Sequence, residues 1–241
     1  MEWWMIAGMM VGVIGCVLIA AVLLYVIFKA GEKRAREIES GALRLGFQFE
    51  SRGESIAGSE FAELPLIKKG IGIRSPNPKE QFRNVLRGTK GSLELTIFDF
   101  RYSTGGQGAG RKITVAAFKS KDNPLPAFEA RPRGWLGMHI AGKNDSIRID
   151  DDAAFSEDYF LIGKDHYAIR ALFSREVCQV LMETGREWAV EGQDRALLVY
   201  LQQRQIAPEK LADFIEIAFR IAEAFLAAAR YIPEGVVGGD L

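Results

Sequence analysis

WWMIAGMMVGVIGCVLIAAVLLYVIF, residues Trp3 to Phe28, is a run of twenty-six residues without a charge. About 20 apolar residues at about 1.5 Å each cross a hydrocarbon core of roughly 30 Å, so the run is long enough to span a bilayer with some tilt. Trp3 and Trp4 at one end and Tyr25 at the other are the amphipathic rings expected at the two membrane interfaces. A buried core helix would need protein around all its faces, and the polar remainder of the chain offers no second segment of this kind. A transmembrane helix over residues 3–28 is the expectation.

The flanks argue against processing and set an orientation. A secretory signal has a basic start and an apolar stretch of about 7–15 residues, whereas Glu2 precedes a longer run here. Val13-Ile14-Gly15-Cys16 has the look of a lipoprotein cleavage box, but the residues after Cys16 stay apolar as far as Phe28. Lys29, Lys33, Arg34 and Arg36 follow the run directly, so the positive-inside rule predicts a single-pass inner (plasma) membrane protein with a cytoplasmic C-terminal domain. That domain has one cysteine, Cys178, and therefore no internal disulfide, as suits a reducing compartment. Gly8, Gly12, Cys16 and Ala20 recur every fourth residue and form a stripe of small side chains, which is read as a helix-packing face for a homodimer or a partner membrane protein.

From Lys29 onward the chain carries 31 bases and 30 acids, a formal charge of +1, which removes the electrostatic case for a nucleic-acid partner. The bilayer is the partner the sequence names directly. Residues 29–45 continue as a juxtamembrane helix with Ala35, Ile38, Ala42 and Leu45 on one stripe, and Gly46 is the expected C-cap. Packing against the domain is favoured over a coiled-coil stalk, because the stretch holds about two heptads.

Residues 46–232 are read as an α+β domain, a mostly antiparallel sheet with helices packed on one side. Lobes over 46–130 and 145–232 would divide it, and 233–241 would be a flexible tail. Phe47 to Phe49 alternates as a short strand, and a short helix near Glu60 to Leu64 is stopped by Pro65. Gln81 to Gly88, Leu93 to Tyr102 and Lys112 to Ser120 form an antiparallel meander. In the middle run the apolar face passes from Leu93, Leu95 and Ile97 to Phe98, Phe100 and Tyr102, which requires either a bulge or burial on both faces. Leu125 to Ala130, bracketed by Pro124, Pro126 and Pro132, reads as an irregular or edge segment, with a weak helix over Gly134 to Ile140. Then follow a strand at Tyr159 to Ile162 and helix from Asp165 to Glu183 broken near Ser174. Strands at Glu187 to Glu191 and Arg195 to Leu201 are joined by a turn at Gly192 to Asp194. A last helix from Pro208 bears Leu211, Phe214, Ile215, Ala218, Ile221, Ala222, Phe225 and Ala229 on one stripe.

Several of these stretches resemble an uncharacterised family of bacterial single-pass membrane proteins with a cytoplasmic α+β domain, and more loosely a second bacterial membrane-anchored domain. The pieces are Asn84-Val85-Leu86-Arg87-Gly88, Phe98-Asp99-Phe100-Arg101-Tyr102, Leu125-Pro126-Ala127-Phe128, Phe155-Ser156 to Tyr159, Gly163-Lys164-Asp165, Arg170 to Phe173, and Val190-Glu191-Gly192 to Tyr200. The resemblance implies a fold and no activity. Where it implies acids after Asp165 and Pro132, this chain has His166 and Arg133.

No motif for chemistry stands up. Gly105 to Gly110 has the spacing of a phosphate-binding loop, but Arg111 and Lys112 replace its lysine and hydroxyl, and it joins strand to strand. His139 and His166 are separated by 26 residues with no ligand-spaced neighbour, so no metal and no cofactor are expected. Asp150-Asp151-Asp152 with Glu157 and Asp158 lacks the spacing of a calcium loop and reads as a solvated turn or helix start. Cys178 lies among Val177, Val180 and Leu181, where a thiol is buried and inert. Asp99, between two aromatics, is the oddly placed charge, with Arg101, Arg83 or Arg87 as its expected partner; Asp99 and His166 are the candidate polar site. The expectation is a non-enzymatic, membrane-tethered interaction or scaffold module. The alternative is a domain that binds a lipid or other apolar ligand through the aromatic run and the glycine loop, and a cryptic enzyme ranks third.

Overall fold

The computed structural model of the chain describes residues 3–70, 81–102, 110–120, 124–133 and 146–232. His139, the helix expected over 134–140, most of the glycine-rich loop and the 233–241 tail lie outside the described residues.

One helix, α1 (Trp3–Arg44), contains both the apolar run and the juxtamembrane stretch without a break. Its apolar part is long enough to cross a membrane, and nearly all side chains from Val13 to Phe28 are exposed. Helix α1 then changes character, because Ile38 and Ala42 are buried against the domain. It ends where Gly46 takes φ +77°, letting the Gly46 and Phe47 amides reach back to Leu43 O and Ala42 O.

An eight-stranded antiparallel sheet follows, in the order β1-β2-β3-β4-β8-β7-β5-β6. The strands are β1 (Gln48–Arg52), β2 (Phe82–Lys90), β3 (Leu93–Tyr102), β4 (Arg111–Lys119), β5 (Leu125–Pro132), β6 (Tyr159–Gly163), β7 (Trp188–Asp194) and β8 (Ala196–Leu201). The expected meander is β2-β3-β4, and β4 bonds to β8, so strands from both halves of the domain share one sheet.

The face change along β3 comes from burial on both sides. Leu95 and Ile97 belong to one core, Phe98, Phe100 and Tyr102 to another. A bulge does exist, but it lies in β2, where the register against β3 shifts between Arg83 and Leu86 and Asn84 takes φ +51°.

Helices do not keep to one side. The larger core lies under α1, α4 (His166–Leu172), α5 (Arg175–Glu183) and α6 (Leu211–Ala229), as the apolar stripe of the last helix requires. The opposite face is covered by the 53–70 segment, where Ile56, Phe61, Leu64 and Ile67 pack on Phe82 and Phe98. Within it a 3-10 turn (Glu60–Glu63) precedes α2 (Pro65–Gly70), so Pro65 opens a second short helix, a position where its missing N–H costs nothing. The remaining short helix, α3 (Ala153–Asp158), leads into β6 and is capped by the Asp152 side chain on the Phe155 amide. Asp165 and Ser174 likewise cap α4 and α5, which is the break expected near Ser174.

Two further expectations need correction. Leu125 to Ala130 is neither irregular nor an edge, since β5 pairs with both β6 and β7. Its prolines are tolerated because Pro126 falls within a register shift between Leu125 and Phe128, and Pro132 sits in the last pair of the strand. The β7–β8 turn is also one step later than Gly192 suggests. Gln193 pairs with Ala196 around Asp194, φ +52°, while Gly192 stays in the strand opposite Leu197 and is a glycine because the Phe128 ring occupies the space a Cβ would need.

Candidate functional site at the junction of membrane helix and domain

Asp99 sits on the β3 face that carries Leu95 and Ile97, and its side chain is buried. Its partner is none of the three arginines expected. Arg34 of α1 grips it bidentately, Nε to Oδ2 and Nη2 to Oδ1, both at 2.9 Å. Asn84 Nδ2 donates to Oδ2 at 2.8 Å and Thr114 Oγ1 to Oδ1 at 2.7 Å. The network closes through Ile206, whose amide donates to Thr114 Oγ1 at 2.9 Å and whose carbonyl accepts from Arg34 Nη1 at 2.7 Å.

Each element contributes for a local reason. The β2 bulge turns Asn84 toward Asp99, β4 places Thr114 directly opposite Asp99, and α1 lays Arg34 across the sheet. Four donors fill the roughly four lone-pair directions of a carboxylate, so Asp99 keeps no free lone pair for a substrate. Its role here is to bind α1 to the sheet. Arg83 and Arg101, though adjacent, are exposed.

His166 does not join this site. It is the exposed first residue of α4, and four strands separate β6 from β3, about 24 Å at about 4.8 Å per strand. Two of the acids at 150–158 are occupied elsewhere: Asp152 caps α3, and Asp158 pairs with Arg186 at 2.9 Å. Cys178 is fully buried and its thiol is pushed up to about 12 by burial, then by the nearby Asp152, so it is inert at neutral pH. Trp3, Trp4, Gly8, Gly12, Cys16, Ala20 and Tyr25 all lie on α1, with Trp3, Cys16, Ala20 and Tyr25 exposed.

A second buried polar cluster lies on the opposite face of the sheet. Glu191 is wholly buried and accepts from the Leu66 amide at 2.6 Å, Tyr200 Oη at 2.7 Å and Arg131 Nη2 at 3.0 Å. Arg131 also pairs with Glu129 at 2.6 Å. Burial pushes the Glu191 carboxyl upward, and Arg131, the Leu66 amide and Tyr200 oppose it. Burial, with Glu191 adding to it, raises the Tyr200 phenol well above its ordinary range, so it stays a donor. The cluster fastens α2 to the sheet. Its signal in the sequence is a lone acid in the apolar run Trp188-Ala189-Val190-Glu191 and a lone Arg131 in β5, which only the sheet order brings together.

The aromatic run forms core. Phe82 stacks on Phe100 at 5.1 Å, and Phe100 on Tyr102 at 6.1 Å. Among the described residues there is a polar cleft of about 380 Å³ where β5, β7 and β8 end. Its charges are spoken for: Arg186 pairs with Asp158, Arg204 with Glu187 at 3.1 Å, and Arg133 donates to Ser156 O and Tyr159 O over the Phe160 ring. Among the described residues no group of three or more His, Cys, Asp or Glu is arranged to hold a metal ion.

No protein-family model and no curated protein matches the chain, so the resemblance drawn from sequence motifs is not carried by a family model. Among solved structures, the crystal structure of the mycobacterial trehalose monomycolate transport factor A, TtfA, matches with TM-score 0.57 and 16% identity. The match covers 83% of this chain and 96% of that one. At this identity the likeness is one of fold.

Proposed function

We propose that this protein is a membrane-tethered, non-enzymatic adaptor whose domain is held in a fixed orientation at the cytoplasmic face of the bilayer, where it engages a membrane protein that handles lipid. The observation that carries the reading is the Arg34–Asp99 pair within an uninterrupted helix, which ties the spanning segment to the centre of the sheet. A domain joined by a loose linker would sample all orientations; one locked by a bidentate ion pair presents a single surface. The saturation of Asp99 supports a positioning role over catalysis. The fold shared with a mycobacterial transport factor supports the choice of a lipid-handling partner.

The test separates orientation from folding. Two alanines inserted between Ala30 and Gly31 rotate the membrane segment by about 200° relative to the domain while leaving Arg34 and Asp99 in place. We expect the full-length chain, released in mild detergent and examined by native mass spectrometry, to retain a stoichiometric membrane protein, and the insertion to abolish that complex with the domain still folded. A complex indifferent to the insertion overturns the reading, as does turnover on a substrate panel that a point change in the domain abolishes.

A further inference from the structure

The level at which α1 crosses the sheet is legible from its contacts. Arg34 lies at Asp99, while Phe47, just beyond α1, packs on Gly88, the partner of Leu95. Helix α1 therefore crosses from β3 toward β2 and β1 while descending from the Asp99 level to the Leu95 level, and the membrane segment extends in the opposite direction, past the end of β3. Lys29 is five residues before Arg34, about 7.5 Å along the helix. Arg101 is two residues beyond Asp99, about 7 Å along the strand and on the same face. Lys29 and Arg101 thus lie near the level where the apolar run ends at Phe28, with the Lys29 ammonium over the Tyr25 ring.

Lys112 is directly opposite Arg101, and Arg111 opposite Tyr102. Arg101, Arg111, Lys112, Lys29, Lys33 and Arg36 are all exposed. Among the described residues Arg101, Arg111 and Lys112 make no ion pair, and the nearby acids are Asp99, saturated by its four donors, Glu32, and Glu37, which pairs with Lys33 at 3.8 Å. The positive charge at this end is thus split between a helix and a sheet that the Arg34–Asp99 pair holds in register.

We propose that the exposed basic surface where α1 meets the β3–β4 end binds anionic phospholipid headgroups, with Arg101 and Lys112 on the sheet and Lys29 and Lys33 on the helix. Phosphodiesters at the bilayer surface meet these bases at the depth where α1 leaves the apolar layer, and basic groups there attract anionic lipid. The inference rests on α1 spanning the bilayer and goes beyond the adaptor reading, because the adaptor needs no lipid preference.

The full-length chain in micelles with equal phosphatidylglycerol and phosphatidylcholine tests it, with bound lipids counted by native mass spectrometry. We expect phosphatidylglycerol adducts to predominate on the wild type and R101Q/K112Q to lower them about tenfold, leaving phosphatidylcholine adducts and the circular dichroism spectrum as in the wild type. Equal retention of the two lipids by the wild type overturns the proposal, and so does unchanged phosphatidylglycerol retention in R101Q/K112Q. If the double variant misfolds, Arg101→Gln and Lys112→Gln made singly provide the same comparison, each with a smaller expected fall. Alkaline extraction of membranes reads the premise separately: a chain that washes off overturns the spanning reading, whereas an anchored chain without lipid preference overturns only this inference.

Discussion

Arg34 and Asp99, 65 residues apart in sequence, form a bidentate pair of 2.9 Å bonds that joins the long N-terminal helix to the third strand of the sheet. Removing one partner of a buried pair leaves an uncompensated charge, which typically costs about 3–5 kcal/mol. Asp99→Ala should therefore destabilise the domain by about that much, and Arg34→Ala by less, since Asn84 and Thr114 still serve the carboxylate. A double-mutant cycle on chemical denaturation should give a coupling of about 1–3 kcal/mol, and amide exchange over residues 29–44 should rise in both variants. A coupling near zero would show that the apolar contacts of Ile38 and Ala42 dock α1 without the ion pair.

Glu191 should behave as the fastener of α2. Glu191→Ala leaves the Tyr200 hydroxyl and the Leu66 amide without their acceptor and Arg131 paired with Glu129, and is expected to cost about 2–5 kcal/mol. Tyr200→Phe removes one hydrogen bond and should cost about 1 kcal/mol. Amide exchange would locate the effect: the Leu66 amide should lose protection in Glu191→Ala first, ahead of the sheet.

Cys178 gives a pH dependence with a definite sign. Its thiol is pushed from an ordinary value of 9.0 up to about 12 when folded. At a pH between those two values the unfolded chain releases the proton and the folded chain keeps it, so unfolding is favoured as pH rises. The contribution is fully present below about pH 9 and is lost toward pH 12. Cys178→Ala should flatten that part of the stability curve, and maleimide at pH 8 should label Cys178 only on unfolding.

Gly192→Ala should destabilise by about 1–3 kcal/mol through overpacking, because the new methyl meets the Phe128 ring. Phe128→Leu in the same chain should recover part of the loss. Gly58→Ala, with nothing within 4 Å, is the control and should stay within about 0.5 kcal/mol of wild type. An equal effect at both positions would mean that backbone freedom, not the ring, decides the cost.

The sequence by itself determined what depends on neighbours along the chain. Hydrophobic length marked the apolar part of α1, alternation marked β3, a 3.6-residue stripe marked α6, and the residues around Gly46 and Ser174 marked where helices end, because periodicity and capping are local. Even there, Pro65, Pro126 and Gly192 misled, since a proline or glycine in the sequence does not say whether a ladder bond or a ring will need its special geometry. Only the tertiary structure decided which charges meet. Arg83 and Arg101 are the neighbours of Asp99 along and across the strands, yet Arg34 takes the carboxylate. Glu191, Arg131 and Tyr200 come from three strands and converge beneath α2. The reason is physical: a buried ion pair forms between whichever groups the packing of helices on the sheet desolvates together, and a single chain read in order contains no record of that packing.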